Sequence, residues 1–515
     1  MIIIYHNGTS IVELTNSETI QVVEVNGKSI ASVLVEVASR NPKEIIVWCH
    51  QSLRTELNLS EIEKLLHHKK ILLSYNSSNI SFLDLAIGYI DASLFVQINR
   101  TVTFPTWQMS SNLGCVHAEV LVALNNKFPL DTNFDYFLCS LSKLLMPNGL
   151  LCYSEPRLLK SGEKGILTKS SLYILFRFVK QHYRTRWVFL LLLNLFLYER
   201  KFPFLPFLLS LFYKNRSKLT TNLDGIKVQS SKKVIDKFTI DVIIPTIGRK
   251  NYLYDVLKDF SKQTLLPKKI IIVEQNPEVG SKTELDFLTN EKWPFEIQHI
   301  FTHQAGACNA RNLALNQTQS EWVFLADDDN RFEVNLLTDI FCKIEQYGNP
   351  LVTTSYPQKN EIKKYKKVIQ WPTFGAGNSF VRRDMLANVK FNMAFEFGYG
   401  EDGDFGMKLR NLGYDVLYLP EPEILHLKAP IGGFRTKPVL RWHSDTIQPK
   451  PSPTVILYNI VHNSRAQINS FKTTLFFKYY RVQEIKNPIK YYIRFQKQWE
   501  RSVFWANELR KQNEV

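Results

Sequence analysis

Cysteine is scarce in this sequence, and its spacing excludes two classes of protein. The 515 residues include six cysteines, and no two of them form a CxxC pair. Zinc sites and small disulfide-stapled domains depend on paired or densely spaced cysteines. Neither is predicted here, and this cysteine usage favours a reducing cytosol.

Long apolar runs and a targeting leader are also lacking. The first ten residues, MIIIYHNGTS, hold a four-residue apolar run without a basic leader, which is too short for a signal peptide. The most apolar region, Trp187 to Tyr213, consists of two twelve-residue stretches split by charged residues, whereas a membrane span needs about 18 to 20 residues. We therefore expect helices that are either buried in protein or lie in a membrane interface.

Acidic residues are the minority, since 64 Lys and Arg against 48 Asp and Glu give a net charge of 64 − 48 = +16. This surplus favours phosphate-bearing partners or anionic lipid. Arg184, Arg186, Lys214 and Arg216 flank the apolar region. We therefore expect a cytoplasmic protein bound peripherally to the inner face of the cell membrane, with no nucleic-acid partner.

The length exceeds that of one domain of about 100 to 200 residues, so at least two cores are expected. A polar stretch rich in Ser, Lys and Thr at 215–237 predicts a linker. The predicted segments are an α/β domain at 1–165, an apolar helical, membrane-interfacial segment at 166–214, the linker at 215–237, an α/β catalytic domain at 238–436 and a basic, aromatic helical tail at 437–515.

The second half begins with the pattern of a parallel α/β sheet. The run IDVII from Ile240 and the later KKIIIVEQN are continuous apolar strands, and Leu253, Val256, Leu257 and Phe260 between them form a helical stripe. Ligands of such sheets gather at the carboxyl ends of the strands. The residues expected to face this crevice are Pro245, Thr246, Arg249, Glu274 and Gln275.

A run of acids follows a third strand. GACNARNLAL predicts a turn that opens a helix, and the strand WVFLA ends in Asp327, Asp328 and Asp329. Adjacent carboxylates repel unless a cation compensates them, and hard divalent ions take oxygen ligands while bridging to phosphates. In isolation, the alternative for this triplet is a solvated turn or a helix N-cap.

Further motifs complete an ordered series. GEDGDF places Glu401, Asp402 and Asp404 at a helix start, where the helix dipole alone would also favour acids. In chain order, IIPTIGR, VEQN, GACNARN, ADDDN, GAGN, GEDGDF and a late His426 before GGFR resemble the inverting family-two glycosyltransferases of GT-A fold. The resemblance covers about residues 240 to 435.

This resemblance implies a Rossmann-like nucleotide-diphospho-sugar transferase domain and a role for each matching residue. Asp402 would be the catalytic base, and Asp329 and His426 would hold Mn²⁺ or Mg²⁺. The residues implied in nucleotide-sugar binding are Pro245, Thr246, Arg249, Glu274, Gln275, Arg311, Asn312, Asp327, Asp328, Gly377, Asn378, Glu401 and Arg435. Because the family usually has Asp-Asp or Asp-Asn where this chain has Glu274 and Gln275, uridine, guanosine and thymidine donors all stay open.

The reaction implied by the resemblance is a metal-dependent, inverting transfer of a sugar from a nucleoside-diphosphate sugar to a hydroxyl acceptor. A lipid-linked saccharide, in cell-surface polysaccharide or glycolipid assembly, is one such acceptor. Two other functions stay open. A nucleotidyltransferase typically carries an N-terminal glycine-rich signature and an activating lysine, which we do not find. A non-catalytic membrane or nucleic-acid binding protein would not need the intact acids.

Three motifs of the second half recur in the first half: PKKIIIVEQN as PKEIIVWCHQ, PTF as PTW, and LYLPEPEIL as LCYSEPRLL. Pro105 to Glu155 spans 155 − 105 = 50 positions, and Pro372 to Glu421 spans 421 − 372 = 49. We interpret residues 1–165 as a degenerate GT-A-like copy without the metal site, in which Tyr136 falls near the place of the base. An unrelated α/β domain is the alternative.

Overall fold

The computed structural model describes residues 1–16, 19–21, 27–78, 81–124, 128–161, 169–219, 221–429 and 438–513. The chain divides into two compact units, the first made of 1–232 with 463–477 and the second of 233–462 with 478–515. Each unit contains one eight-stranded sheet. The break at 232 lies inside the predicted linker, and the predicted tail contributes to both units.

Unit 1 is an α/β unit. Its strands are β1 (Ile2–His6), β2 (Ile11–Asn16), β3 (Thr19–Gln21), β4 (Ile45–His50), β5 (Ile71–Tyr75), β6 (Phe104–Pro105), β7 (Leu113–His117) and β8 (Leu151–Ser154). Its helices before the break are α1 (Ile30–Arg40), α2 (Leu59–Leu65), α3 (Ala118–Val122), α4 (Phe134–Leu145), α5 (Leu172–His182), α6 (Arg186–Glu199) and α7 (Phe204–Ser210).

Unit 2 is also α/β. Its strands are β9 (Ile240–Thr246), β10 (Lys269–Gln275), β11 (Glu296–Thr302), β12 (Trp322–Ala326), β13 (Asn330–Arg331), β14 (Leu351–Ser355), β15 (Ile369–Gln370), β16 (Asn378–Arg382), β17 (Leu417–Glu423) and β18 (Leu425–His426). Its helices are α8 (Lys250–Ser261), α9 (Phe287–Asn290), α10 (Ala307–Leu315), α11 (Leu336–Tyr347), α12 (Glu401–Asn411) and α13 (Pro453–His462). The last two helices are α14 (Arg465–Tyr480), most of which belongs to unit 1, and α15 (Pro488–Asn513) in unit 2.

The predicted strand–helix–strand start of unit 2 is confirmed. Every residue of β10 is buried, and the buried residues of α8 include the whole predicted stripe. The sheet order is β11-β10-β9-β12-β16-β14-β17-β15. Strands β9 to β12 of this sheet are parallel, so their carboxyl ends share one edge, and antiparallel β16 brings its amino end to the same edge.

The two sheets share an arrangement of six strands. The sheet of unit 1 has the order β3-β2-β1-β4-β7-β5-β8-β6, in which β1, β4, β7, β5, β8 and β6 take the places of β9, β12, β16, β14, β17 and β15. Parallel and antiparallel pairings agree throughout these six strands. The strands also follow each other in the same order along the chain. Units 1 and 2 differ where the hairpin β2–β3 replaces β10 and β11.

One of the three motif matches is wrong in topology. PKEIIVWCHQ forms β4, which takes the place of β12 and not that of β10, the strand formed by PKKIIIVEQN. Both are buried apolar strands that run parallel to the first strand of their sheet, so local composition cannot distinguish them. The other two matches fall on strands in equivalent places, β6 with β15 and β8 with β17.

The predicted linker packs against the protein although no helix or strand forms among its described residues. Arg216 is buried and forms an ion pair with Asp131 at 2.7 Å, and Leu223, Val234 and Ile235 are buried as well. The apolar segment that precedes it forms α5, α6 and α7. Within the described part of the chain, no helix is both long and apolar enough to cross a bilayer.

Candidate functional site

A cavity of about 310 Å³ opens where the parallel strands of unit 2 end. Ten of the predicted site residues line it: Pro245, Thr246, Arg249, Gln275, Arg311, Asp327, Asp328, Asp329, Glu401 and His426. Most of the predicted site, drawn from residues 245 to 426 of the sequence, therefore converges on one crevice.

The three consecutive acids have two different environments. All three acids line the cavity, but Asp328 is engaged by Thr246 and Arg249, whereas Asp327 and Asp329 lie in a cluster with His426. Asp328 is buried, accepts from Thr246 Oγ1 at 2.7 Å and pairs with Arg249 Nη1 at 2.6 Å. Burial raises the pKa of Asp328 to about 6, against the opposing charge of Arg249. Asp328 thus ties the end of β9 and α8 to the end of β12.

Asp327, Asp329 and His426 form a cluster that can hold a metal ion. One possible ligand atom from each residue lies within 4.8 Å of the others. Asp329 is buried, and its Oδ2 accepts from Ala429 N at 2.9 Å. Its Oδ1 is buried without a hydrogen-bond partner and lies 3.6 Å from His426 Nε2. Two carboxylates and an imidazole with an unsatisfied buried oxygen suit a divalent cation, so the residues fit the implied metal.

Tyr356 and Gly377 shape this cluster. The Tyr356 hydroxyl donates to Asp327 Oδ2 at 3.2 Å, and its ring stacks on His426 with centroids 4.5 Å apart. A Cβ at Gly377 would lie 2.1 Å from Asp327 Oδ2. Position 377 must therefore be glycine for Asp327 to keep this place.

Arg311 links the acids of the cluster to those of α12. It is buried, and its Nη2 lies 3.2 Å from Asp327 Oδ1. The charges of Asp327, Asp402 and Glu401 raise the pKa of Arg311 despite its burial. This guanidinium therefore remains charged at the centre of the site.

Asp402 lies in the first turn of α12, which begins after Gly400 in a left-handed conformation with φ of 109°. Its Oδ2 accepts from Ala376 N at 3.2 Å, whereas its Oδ1 is buried without a hydrogen-bond partner. Burial raises the pKa of Asp402 to about 7, with Arg311 acting in the opposite direction and Glu401 adding to the rise. An unsatisfied carboxylate with a pKa near 7 has the properties of a general base.

Glu396, which the sequence did not predict, occupies the N-terminus of α10 beside the cavity. It accepts from Cys308 N at 3.1 Å and Asn309 N at 2.8 Å. Gly306 has φ of 143°, and a Cβ there would lie 2.4 Å from the Glu396 carboxyl group. Gln275 completes this corner, since its Oε1 accepts from Gly306 N at 2.6 Å. The backbone donors of this helix terminus are thus already partly satisfied by protein.

Three predicted nucleotide-binding residues are not brought to the cavity. Glu274 accepts from Thr283 Oγ1 at 2.5 Å and from His299 Nε2 at 2.9 Å. Asn312 exchanges two hydrogen bonds with the backbone of Phe391, and Asn378 donates to the carbonyl of Thr354. Each of the three holds one segment of unit 2 to another. Gly377 acts through Asp327, and Arg435 lies outside the described residues.

The helix α13 supports α12 from outside the cavity. Asp404, one turn into α12, is buried and lies 2.9 Å from His462 Nε2 at the end of α13. At the start of α13, the Thr454 hydroxyl accepts from Tyr399 N at 2.9 Å. The position of the Asp402 helix turn therefore depends on a helix that follows it by about fifty residues.

Among the described residues that line the cavity, carboxylates outnumber cations. The permanent cations are Arg249, Arg311 and Lys428, and the carboxylates are those of Asp327, Asp328, Asp329, Glu396 and Glu401, so the formal balance of these residues is 3 − 5 = −2 before His426 is counted. A diphosphate adds further negative charge. An added divalent cation at Asp327, Asp329 and His426 would offset this excess.

Two kinds of sequence comparison bear on this site. Residues 241–399 match the model of Glycosyl transferase family 2. Glycosyltransferase GlyA of Streptococcus pneumoniae is 28% identical over 130 residues, which are 25% of this chain and 18% of that protein. An uncharacterised glycosyltransferase of Rickettsia conorii is 28% identical over 152 residues, 29% of this chain and 24% of that protein. The chain thus matches about a fifth to a quarter of the length of these curated relatives.

Solved structures show only weak likeness. Staphylococcus aureus TarS 1–349 in complex with UDP-GlcNAc gives a TM-score of 0.36 at 17% identity, covering 53% of this chain and 81% of that one. GalNAc-T7 with UDP, GalNAc and Mn²⁺ gives 0.31 at 13% identity, covering 40% and 48%. Both scores are below 0.5 and carry no weight for this site. On the family-model match and the named relatives, residues 241–399, whose α/β sheet places these side chains at one edge, are similar to glycosyltransferase family 2.

Proposed function

We propose that the protein is a metal-dependent, inverting glycosyltransferase that moves a sugar from a nucleoside-diphosphate sugar to a hydroxyl acceptor. The observation that carries the proposal is the cluster of Asp327, Asp329 and His426 in the crevice, beside Arg311, which interacts with both Asp327 and Asp402. A metal-capable group and a carboxylate of raised pKa are the two parts that such a transfer requires.

The residues of the crevice divide between donor and acceptor. Asp327, Asp329 and His426 would hold a divalent ion, which when bound stabilises the negative charge of the departing nucleoside diphosphate. Arg311, buried and charged, contributes a fixed cation to the same group. Gln275, at the end of β10 on the cavity wall, is the protein's candidate contact with the nucleoside.

Asp402 accepts the proton of the acceptor hydroxyl as the new glycosidic bond forms and the bond to the diphosphate breaks. A single base and a single displacement from the face opposite the leaving group invert the anomeric centre. Because Glu401 lines the cavity and Asp402 is not among its lining residues, the productive complex needs Asp402 to reach the hydroxyl after the acceptor binds. Catalytic contacts often tighten only in the complex.

The test is release of nucleoside diphosphate from UDP-, GDP- and dTDP-sugars with Mn²⁺ or Mg²⁺. We expect turnover with at least one donor and its loss in excess chelator. Asp329→Ala should remove most of this turnover, whereas Asp255→Ala, which removes an exposed acid of α8, should not. Undiminished transfer in excess chelator contradicts the metal requirement.

The place of the reaction is part of the proposal. The net charge of +16 and the apolar helices α6 and α7 favour peripheral attachment to the cytoplasmic face of the cell membrane. A lipid-linked saccharide is then the acceptor class, in cell-surface polysaccharide or glycolipid assembly. Product mass from a donor and acceptor panel identifies both substrates.

We also propose that unit 1 is a shortened copy of the same domain that binds no nucleotide sugar. The shared six-strand arrangement supports this, and so does Asp135, the second residue of α4, as Asp402 is of α12. Asp135 Oδ1 accepts from Ser111 N at 2.7 Å, and Asp402 Oδ2 accepts from Ala376 N. Each of those donors lies two residues before the equivalent strand, β7 or β16. Asp135, next to the predicted Tyr136, therefore takes the place of the base.

The acids that follow β12 have no acidic counterpart after β4 of unit 1. By the strand pairing, His50 at the end of β4 and the following Gln51 and Ser52 take their places. His6, at the end of β1, is buried; its Nε2 donates to the Ser111 carbonyl and its Nδ1 accepts from Gly8 N. Burial lowers the pKa of His6 to about 4, so this group is neutral. Gln51, Ser52 and the neutral His6 offer no charge to hold a metal or a diphosphate.

A further inference from the structure

The helix α6 of unit 1 is apolar around its whole circumference, although only one side of it is packed. Its sequence is RWVFLLLLNLFLYE, and Val188, Leu191 and Leu195 are fully buried on the inner side. A helix on a protein surface normally presents charged and polar residues outward. On its outer side, α6 presents Phe196 and Leu197, of which 56% and 51% are exposed.

The next helix continues this surface. Phe204 and Leu205 of α7 are 50% and 56% exposed, and Phe202 and Phe212 on either side of the helix are 63% and 85% exposed. A single exposed apolar residue is ordinary on a protein surface, whereas a contiguous group marks an interaction site.

Ring contacts make this group contiguous. Phe189 contacts Phe207 with centroids 5.1 Å apart, Phe207 contacts Phe204 at 6.3 Å, and Phe204 contacts Phe202 at 5.8 Å. Phe202 contacts Phe196 at 6.1 Å. We name this surface the aromatic face. Its exposed members joined by these contacts are Phe189, Phe196, Phe202 and Phe204, and it includes the exposed apolar residues next to them in the chain, Leu197, Leu205, Leu208, Leu209 and Phe212.

Exposed cations border the aromatic face in the sequence. Between residues 183 and 219 they are Arg184, Arg186, Arg200, Lys201, Lys214 and Lys218. The same interval contains one carboxylate, Glu199, which pairs with Lys201. The exposed charge balance is therefore 6 − 1 = +5. Exposed apolar side chains flanked by cations along the chain are typical of segments that lie in the interface of an anionic membrane.

We propose that the aromatic face docks unit 1 onto a lipid surface rich in anionic headgroups. The inference rests on the peripheral attachment proposed above and is independent of sugar transfer. The apolar side chains enter the boundary between headgroups and acyl chains, while the six cations contact the headgroups. A second copy is the less suitable occupant, because a two-fold interface sets the same patch against itself and would bring like charges together.

The test is cosedimentation of the full chain with vesicles of phosphatidylcholine alone or mixed with phosphatidylglycerol. We expect binding to the mixed vesicles, weakened about tenfold or more on the neutral ones. Phe204→Ser with Phe212→Ser, and separately Arg184→Glu with Lys214→Glu, should each weaken binding to the mixed vesicles by at least about tenfold. The matched control is Val279→Ser with Ile362→Ser, two side chains of unit 2 that are 90% exposed, and it should bind like the native chain.

The proposal is overturned if the native chain stays in the supernatant with mixed vesicles, or if both pairs of substitutions bind like the control. It is also overturned if sedimentation equilibrium finds a native dimer that Phe204→Ser with Phe212→Ser converts to monomer while vesicle binding is absent. Donor turnover measured on the same variants keeps the proposals apart. Asp329→Ala should lose turnover and keep vesicle binding. The aromatic-face variants should lose vesicle binding and keep turnover with a soluble acceptor.

Discussion

At the scale of single residues, Asp402 is the group whose replacement separates chemistry from binding. Asp402→Asn should lower kcat about 10² to 10⁴-fold, because the amide cannot accept the acceptor proton, and should change donor affinity little. Single-turnover rates and calorimetric donor binding measure the two effects. The variant to compare with Asp402→Asn is Glu401→Gln, which replaces the neighbouring carboxylate that lines the cavity. If Asp402→Asn lost donor affinity as severely as turnover, Asp402 would belong to the nucleotide or metal site.

The raised pKa of Asp402 gives this proposal a pH dependence. The base acts as the carboxylate, and burial raises its pKa to about 7. The value of kcat/KM should therefore rise about tenfold per pH unit below pH 7 and level off above it. The pH–rate profile measures this limb. A flat profile between pH 5 and pH 7 at saturating metal would contradict Asp402 as the base.

Alternation along a strand explains which site residues the sequence could predict. Pro245 and Thr246 at the end of β9 and the acids after β12 follow buried runs whose pattern is visible in the sequence. Glu274 and Gln275 are neighbours in β10 and point to opposite faces, so only one of them can face the crevice. The choice depends on Thr283 and His299, which bind Glu274 and have no signal of their own in the sequence.

The cavity residues missed by sequence reasoning lie outside the recognised motifs. Tyr356 follows β14, and Glu396 lies in a loop before α12. Lys428, a cation on the cavity wall, comes two residues after His426. Their roles depend on how distant segments pack against β12 and α10. Of these three residues, Lys428 alone had a signal in the sequence. It lies close to a predicted metal ligand, and a cation beside a metal cluster suits a diphosphate.

At the scale of elements, α12 is positioned by α13 through the pair of Asp404 and His462. Burial alone would raise the pKa of Asp404, but His462 and Lys408 hold it below its usual value. The stabilisation that comes with this lowered pKa is fully present above the pKa of about 4 that Asp404 has in the unfolded chain. It is lost as the pH falls through the lower pKa of Asp404 in the folded protein. Both members of the pair are buried, so breaking it removes one of the two partners of a buried carboxylate, the other being Lys408 at 2.8 Å.

We therefore expect His462→Ala to lower the free energy of unfolding by about 3 kcal/mol at neutral pH. It should also lower kcat more than it changes donor affinity, because it moves the turn that carries Asp402. Urea unfolding and steady-state kinetics measure the two effects. His443→Ala, at an exposed histidine, is the control and should leave both unchanged. Unchanged kcat in His462→Ala would show that the pair stabilises α12 without positioning Asp402.

At the scale of the whole molecule, the two sheets predict one nucleotide site per chain. Titration calorimetry with Mn²⁺ and nucleoside diphosphate should give a stoichiometry near one, because among the described residues the metal-capable cluster lies in unit 2. Asp329→Ala should remove the binding, and His50→Ala in unit 1 should not change it. A stoichiometry of two, or a second site that survives Asp329→Ala, would contradict an inactive unit 1.

Much of this organisation was visible in the sequence, and the rest depends on long-range pairing. The order of motifs predicted the GT-A domain, and two short repeats fall on equivalent strands of unit 1. The apolar pattern could not say whether β4 replaces β10 or β12, because both are buried parallel strands. No local pattern in the sequence shows how the tail is divided between the two units, since α14 and α15 are both aromatic and basic.

The return of α14 to unit 1 has a consequence for the order in which a ribosome delivers the parts. Gln467 donates to the carbonyl of Asp91, Ser470 to that of Tyr89, and Thr473 to Asn194 Oδ1 on α6. Thr473 is synthesised 279 residues after Asn194, a delay of roughly 14 to 56 s at ~5 to 20 residues per second. During that interval, α6 of the nascent unit 1 lacks its partner α14. A nearby lipid surface can therefore contact the aromatic face before the catalytic unit is complete.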